Sequence, residues 1–392
     1  MIICKRLGIL PIRMHAPSYV VDMEGEAWLY LEDGTSAKGS SFGSRIKKGG
    51  EIVFTTAMNG YPESLTDSSY KGQILVITHP LVGNYGVPNG ISDKGIFENF
   101  ESEGIKIEGL VVSEVTSGSK WNSNTSLGRW MEDNDLPGIS GIDTRALTKK
   151  IRERGVMNGI ISPREYDAAE DLKEDYGRIN FVEKVSVKEP VVYEGGGRGR
   201  IVVVDLGIKH GILNEVRRRG YDIVRVPYDS NAEKIMSYEP SGILYSNGPG
   251  NPNLLSEQVI ELKKLMEHNV PILGICLGQQ LVTLALGGRV RKMAFGHRAV
   301  NKAVVNHIDG RAYITTHNHG YASYAEDLPD GVERWFSSPD DGVVEGVRCN
   351  NIITTQFHPE SRPGANDTGF VFDVFARMIN DSPRKPLISM VG

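Results

Sequence analysis

Ile272-Leu273-Gly274-Ile275-Cys276-Leu277-Gly278-Gln279-Gln280-Leu281 reads as a buried strand that ends on a cysteine and turns at once into a helix. The strand is expected from Val270 to Ile275 and the helix from Leu277 to Leu286. A glycine stands two residues before Cys276 and another two residues after it, which is the spacing of a nucleophile elbow with Cys in the nucleophile's place. A strand-to-helix turn this sharp strains its central residue, and the flanking glycines let the two backbones pass without Cβ clashes. The sulfur is left at a helix N-terminus, where free N–H groups and the macrodipole favour a thiolate. Taken alone, the segment is equally compatible with a small buried hydrophobe in a tight turn, since unpaired Cys is commonly buried.

The chain around it favours the nucleophile. From Ile201 the grammar is βαβ: Ile201-Val202-Val203-Val204-Asp205 is a continuous apolar strand, His210 to Arg219 a helix closed by Gly220, and Asp222 to Val226 the next strand. A helix (Ala232–Tyr238), a strand (Gly242–Ser246) and a long helix (Asn253–Asn269) follow, leading into the strand that ends at Cys276. Apolar strands alternating with amphipathic helices predict a flavodoxin-like, doubly wound parallel sheet, in which ligands bind at the carboxyl ends of strands. Cys276 sits at such an end, and so does Asn247-Gly248-Pro249-Gly250. Short strands are expected at Val300–Val305, Ala312–Thr315, Val343–Arg348 and Ile352–Thr355, with a closing helix at Gly369–Ile379.

A cysteine nucleophile needs a base and a group to orient it. Of nine histidines, His358 lies just past a buried strand, with Glu360 two residues on to accept its ring N–H. His319 is the second choice, and Thr316 to Tyr321 reads as a substrate-holding loop. The Leu277 N–H and the glycines of the Gly248–Gly250 loop could supply an oxyanion hole.

The first half reads differently. Strands are expected at Ala27–Leu31, Glu51–Thr56, Gln73–Thr78 and Gly109–Ser113, then helices at Trp121–Asp133 and Asp143–Arg154, the latter capped by Asp143 and ended by Gly155. Strands first and helices later indicate a mixed α+β, swivelling-type domain over residues 23–182. Residues 183–199, without apolar period, read as a linker, and residues 200–392 form the second domain. Residues 1–22 read as an extension expected to be flexible, with Met23 the more natural start of the folded unit. At 392 residues, 40% hydrophobic, 24% charged and with a net charge of −5, the chain has ample core material and no sign of nucleic-acid or membrane binding. No apolar run approaches the ~20 residues needed to span a bilayer. Three cysteines (Cys4, Cys276, Cys349) without CxxC spacing suggest neither disulfides nor a metal site, and fit a cytoplasmic setting. The glycines of Gly195–Gly199 precede a strand instead of joining strand to helix, and no Gly-Lys dipeptide occurs, so a phosphate loop is not indicated.

Ser246-Asn247-Gly248-Pro249-Gly250, Gly274-Ile275-Cys276-Leu277-Gly278 and His358-Pro359-Glu360 resemble the three signatures of class I triad glutamine amidotransferases. In the first half, Phe54 to Glu63, Leu65 to Gln73, His79 to Gly86 and Gly141 to Arg145 resemble the small subunits of carbamoyl phosphate synthase, and the likeness runs from about Met23 to about Asn380. The resemblance implies that Cys276 attacks the glutamine carboxamide with His358 as base and Glu360 orienting it. It implies glutamine contacts at Ala57, Gly248, Gly250, Leu277, Gln280, Asn318, Gly320 and Tyr321, with Ala57 limited to its backbone because some relatives have Ser there. It also implies a large-subunit partner that receives ammonia through a tunnel and binds ATP, Mg and bicarbonate, while this chain carries no cofactor of its own. Other roles for the chain would be a catalytically silent docking subunit or a stand-alone γ-glutamyl cysteine hydrolase. Three departures from the family pattern stand out: Gln279 where many relatives have His, the weakly matching stretch from Gly296 through Lys302 to Val304, and the first 22 residues.

Overall fold

The computed structural model describes residues 25–382 apart from 117 and 119–121. The expected extension 1–22, Cys4 and the choice between Met1 and Met23 lie outside the described residues. The first half is built on strands β1 (Glu26–Leu31), β2 (Ser36–Gly43) and β3 (Lys48–Thr55), helix α1 (Tyr61–Thr66), and strand β4 (Gln73–Ile77). Two small ribbons follow, pairing β5 (Val87–Pro88) with β9 (Ser123–Thr125) and β6 (Ser92–Asp93) with β7 (Ile96–Phe97). Then come β8 (Gly109–Val111), α2 (Leu127–Asp133), β10 (Pro137–Ser140), α3 (Thr144–Arg154) and β11 (Met157–Ser162). Seven of these strands close into a barrel of order β1-β11-β3-β4-β8-β10-β2. Its central strands β4, β8 and β10 are buried on both faces, while β1 and β2 leave one side partly open. Ile52, Phe54, Ile74 and Val76 pack with Leu147 and Ile151 of α3, while Val53, Leu75 and Leu110 pack with Leu65 of α1 and Met131 of α2. The helix expected from Trp121 begins only at Leu127, where Ser126 caps it by accepting the Arg129 N–H. Asp143 caps α3 as expected, accepting the Ala146 N–H, and Gly155 ends it at φ 93°.

The second half is one sheet. The stretch read as a linker is not free of structure: it contains β12 (Val191–Tyr193), an edge strand antiparallel to β14. The linker reading failed because a three-residue edge strand is too short to display a period. β13 (Arg200–Asp205), α4 (His210–Arg218), β14 (Asp222–Pro227), α5 (Ala232–Met236), β15 (Gly242–Tyr245), α6 (Ser256–Met266), β16 (Ile272–Ile275) and α7 (Leu277–Ala285) follow in βαβ order. The chain then enters β17 (Arg291–Asn306), β18 (Ala312–Ala322), β19 (Glu333–Ser337), β20 (Val344–Cys349), β21 (Ile352–Thr355) and helix α8 (Phe370–Asp381). The parallel part runs β14-β13-β15-β16-β21, the flavodoxin-like order, and β20-β19-β17-β18 extend it antiparallel. Alternate residues of β13 fill the two faces: Ile201 and Val203 meet α4 and α8, and Val202 and Val204 meet α6 and α7. β17 and β18 are far longer than the short strands expected. In particular Thr316 to Tyr321 is strand, not loop, because β17 pairs it through two β-bulges. Bulges break the period-two pattern by which the extension could have been read.

Barrel and sheet meet at a polar seam. The Phe97 ring stacks on His210 at 5.4 Å between centroids, and the Phe97 N–H donates to His210 Nδ1 at 2.9 Å. Glu101, wholly buried, accepts the His210 N–H on its backbone carbonyl and the Gly211 N–H on Oε2 at 3.0 Å, and pairs with Arg362 Nε at 3.0 Å. One carboxylate thus anchors the start of α4 and the segment after His358 to the barrel. Glu101→Ala should cost roughly 2–4 kcal/mol, since it strands the partly buried Arg362 guanidinium and the Gly211 N–H at the helix start. Calorimetry should show a lowered Tm and hydrogen exchange a loss of protection at residues 210–212. Unchanged Tm and protection would show that the seam does not depend on this contact.

Candidate active site

The elbow has the strain its spacing predicts. Cys276 adopts φ 55°, ψ −103°, a region that side chains rarely occupy. The glycines account for its flanks: a Cβ on Gly274 would come within 2.9 Å of the Gly278 backbone, and one on Gly278 within 2.1 Å of the Tyr245 carbonyl. The Cys276 N–H is fixed to the Thr355 carbonyl at 2.7 Å, which ties the nucleophile's strand to the one that delivers His358. The thiol is 2% exposed, and Sγ donates to the Asn318 carbonyl at 3.6 Å.

His358 follows β21, and its N–H is held by the Thr316 carbonyl at 2.8 Å. Its ring Nδ1 pairs with Glu360 Oε1 at 2.8 Å, so Nδ1–H donates to the carboxylate. Nε2 is buried without a hydrogen-bond partner in ideal geometry, and Cys276 is near enough to raise the ring's basicity. Catalytic contacts of this kind tighten when substrate binds. Burial opposes a charge on His358, but the Glu360 carboxylate more than offsets it, and the pKa is raised. Burial would likewise raise Glu360, yet Lys209 first and His358 second hold it below the ordinary carboxylate range. Lys209 is itself fully buried, with Nζ 2.8 Å from Glu360 Oε1 and 2.6 Å from the Arg362 carbonyl. Burial alone would lower its pKa, and Glu360, Glu101 and Asp67 turn the shift upward. The orienting carboxylate is therefore held charged by a lysine that was not anticipated. Only its place at the carboxyl end of β13, beside the Cys276 strand end, could have flagged it.

A cleft of about 700 Å³, counting the solvent at its mouth, opens at Cys276. Gly248, Gly250, Gln280, Asn318, Gly320 and Tyr321 line it. Gly248 must be glycine, since a Cβ would stand 2.1 Å from the Leu206 carbonyl. Leu277 follows Cys276 at the start of α7, with its side chain against Gly248. Gln280 donates to the Tyr321 carbonyl at 3.0 Å. Ala57 is placed elsewhere: its N–H bonds Thr55 Oγ1, and it lines a small separate cavity with Met58 and Tyr61. Several residues of the barrel half line the cleft, among them Glu51, Lys71, Gln73 and Ser69. Ser69 Oγ accepts from Asn247 Nδ2 at 3.0 Å, and Asp67 accepts from both the Ser69 N–H and Asn318 Nδ2 at 2.9 Å. The position was missed because it depends on how the barrel docks, which no local pattern records. Gln279 faces away from the cleft, bridging the Val344 carbonyl and Thr354. His319 borders the cleft, but its Nδ1 is bound to the Tyr321 carbonyl at 2.9 Å. Arg298 is a second unanticipated residue: a buried cation lining the cleft, one guanidinium nitrogen on the Phe295 carbonyl at 2.7 Å and Nε without a partner.

The arrangement is that of a thiol acyl-transfer site, with nucleophile, base, orienter and glycine-lined helix start at one sheet edge. Residues 29–161 match the family described as carbamoyl-phosphate synthase small chain, CPSase domain, and residues 202–378 match glutamine amidotransferase class-I. The chain is 55% identical over 358 residues to the carbamoyl phosphate synthase small chain of Metallosphaera sedula, covering 90% of this chain and 96% of that one. It is 55% identical over 362 residues to the small chain of Sulfolobus acidocaldarius, with 90% and 96% covered. With that of Pyrococcus furiosus the identity is 46% over 363 residues, with 90% and 98% covered. A likeness of this extent, over both halves and the whole of the site just described, shows that the chain belongs to the carbamoyl phosphate synthase small chain family and carries its glutamine amidotransferase domain.

Proposed function

We propose that the chain hydrolyses L-glutamine to glutamate and ammonia at Cys276 and passes the ammonia to a large-subunit partner for carbamoyl phosphate synthesis. The observation that carries this reading is the buried line from Cys276 through His358 to Glu360, with the sulfur at a strained helix start. Sγ attacks the side-chain carboxamide carbon, and the oxyanion is received by the N–H groups of Leu277 and the Gly248 loop. His358 Nε2 holds the thiol proton and gives it to the departing amide nitrogen, releasing ammonia and leaving a γ-glutamyl thioester on Cys276. Water then attacks the thioester with His358 taking its proton, and glutamate leaves as the thiolate re-forms. Gly248, Gly250, Gln280, Asn318, Gly320 and Tyr321 are proposed to hold the amino acid, with Ser69 in the part first assigned to Ala57. Arg298 suits the α-carboxylate, because a buried guanidinium with an unused Nε is complementary to a carboxylate. ATP, Mg and bicarbonate are assigned to the large subunit of the heterodimer.

Cys276→Ser, assayed with the large subunit, should abolish glutamine-dependent synthesis while ammonia-dependent synthesis survives. Loss of both activities, or of neither, would refute the nucleophile assignment.

Lys209→Met gives a second, independent check. Removing the buried cation weakens what holds Glu360 below its ordinary value, so Glu360 takes up its proton at higher pH. The acidic limb of the kcat/KM profile for glutamine should therefore move to higher pH, with activity at neutral pH reduced by about 10-fold or more. An unshifted acidic limb would show that Glu360 does not depend on Lys209 for its charge.

A further inference from the structure

Behind the cleft, four buried side chains converge: His297 on β17, His317 and His319 on β18, and Glu345 on β20, each offering one ligand atom and all within 4.8 Å of one another. His297 is the direct cross-strand partner of His319, and His317 and His319, two apart, share one face of their strand. None has a role in the glutamine chemistry above.

The hydrogen bonds around the group determine where its protons are. Thr315 Oγ1 donates to the Lys302 carbonyl at 2.8 Å, so it must accept at 2.7 Å from His317 Nε2–H, leaving Nδ1 of that ring as a lone pair. His319 Nδ1 meets the Tyr321 carbonyl at 2.9 Å and must donate, leaving Nε2 bare. His297 Nε2 meets the Asp341 carboxylate at 2.7 Å, leaving its Nδ1 bare. The three bare nitrogens face Glu345, which is 0% exposed. Among the described residues, both its oxygens and His297 Nδ1 have no hydrogen-bond partner. With the rings in these neutral tautomers and Glu345 ionised, five acceptor atoms face one another in the interior, an arrangement that costs several kcal/mol unless protons or a metal cation enter it.

The spacing identifies the cation. Metal–ligand bonds of about 2.0–2.1 Å arranged tetrahedrally give ligand–ligand edges of about 3.3–3.4 Å. His317 Nδ1 and His319 Nε2 are 3.4 Å apart, His297 Nδ1 and Glu345 Oε1 3.4 Å, His317 Nδ1 and Glu345 Oε2 3.5 Å, and His319 Nε2 and Glu345 Oε1 4.0 Å. Every ligand histidine has its second nitrogen held by an oxygen, the outer shell that orients imidazole in metal sites. We propose that His297, His317, His319 and Glu345 bind one divalent transition-metal ion, zinc by ligand type and geometry. The absence of a paired-cysteine motif gave no hint of it, because its ligands come from three strands. Such a site is closed, with four protein ligands and no open position, so its role is structural. It clamps the rear of β18, whose intervening residues Asn318 and Gly320 face the glutamine cleft.

The test uses the full chain carrying Cys276→Ser, so that the active-site thiol cannot be the ligand. The protein is stripped with a chelator and given Zn²⁺ alone or Co²⁺ alone. After desalting, elemental analysis should find about one zinc per chain, as expected for a closed four-ligand site. The Co²⁺ form should show the intense visible bands of four-coordination, and the metal should raise the Tm. Glu345→Gln or His317→Gln should abolish the Co²⁺ spectrum. Should those variants fail to fold, Asp341→Ala, at a partly exposed outer-shell position, should still fold and bind roughly 10–100-fold more weakly. No zinc retained by the parent protein, or retention and a spectrum indifferent to all three substitutions, would overturn the proposal.

Discussion

A charged carboxylate shut away from water governs this active site. Glu360 Oε1 receives both Lys209 Nζ and His358 Nδ1 at 2.8 Å, and Oε2 has no hydrogen-bond partner among the described residues. Two donors on one oxygen solve two problems at once. The lysine keeps the carboxylate ionised against its desolvation, and the ionised carboxylate keeps His358 in the tautomer that turns Nε2 toward Cys276. A neutral neighbour in place of Lys209 would leave His358 to carry the whole burden of compensating a buried anion. The raised basicity of His358 would then fall as Glu360 took up a proton. The lysine is thus a positioning residue for the base, acting through the carboxylate and never touching substrate.

The same cluster explains why a barrel belongs to a glutaminase domain. Lys209 starts the turn into α4, and the next residues are capped by Glu101 from the barrel. Arg362, four residues after His358, is paired to that same carboxylate. Asp67 and Ser69 then reach over the cleft to Asn318 and Asn247. Barrel residues are therefore interleaved with the catalytic residues at two levels, beneath the base and across the substrate contacts. A sheet domain alone would lack one wall of the cleft and the counter-charges that steady its base. The fold is one machine with two cores.

What could be read from the residues alone follows from the range of the signal. The elbow, the flavodoxin-like order and His358-Pro359-Glu360 are local patterns, each confined to one strand end, and each is found where its spacing placed it. Lys209, Ser69, Asp67 and Arg298 escaped because their importance is created by docking: even within the family-like stretch Leu65 to Gln73, nothing local marks Asp67 and Ser69 as the residues that meet the sheet domain. The short strands assigned to 300–305 and 312–315 illustrate another limit. β17 is interrupted by irregularities near 293–296 and 300–301, the first inserting three extra residues against β18 and the second one, and each odd insertion flips the alternation, so a continuous strand looks like several fragments. Ala57 was misplaced for a third reason. It was carried over from an equivalence with relatives, and the serine that lines the cleft with Cys276 lies twelve residues further on, at Ser69.

The hairpin of β17 and β18 presents two faces. In an extended strand, neighbouring side chains leave on opposite faces, so His317 and His319 must point away from Asn318 and Gly320. One face touches the glutamine cleft through Asn318, whose carbonyl accepts from the Cys276 thiol. The other face holds the histidine–glutamate group. The Asn318 carbonyl and amide are useful only if held within a few tenths of an ångström, because hydrogen bonds weaken steeply with distance and angle. Bulges supply no such rigidity, since each leaves a residue outside the ladder. A cross-link behind the strand, drawing ligands from β17, β18 and β20 together, would restore it at the two residues that flank Asn318. Polar side chains so thoroughly buried would otherwise weaken the sheet they sit in, and their arrangement makes physical sense as the rear support of the substrate face.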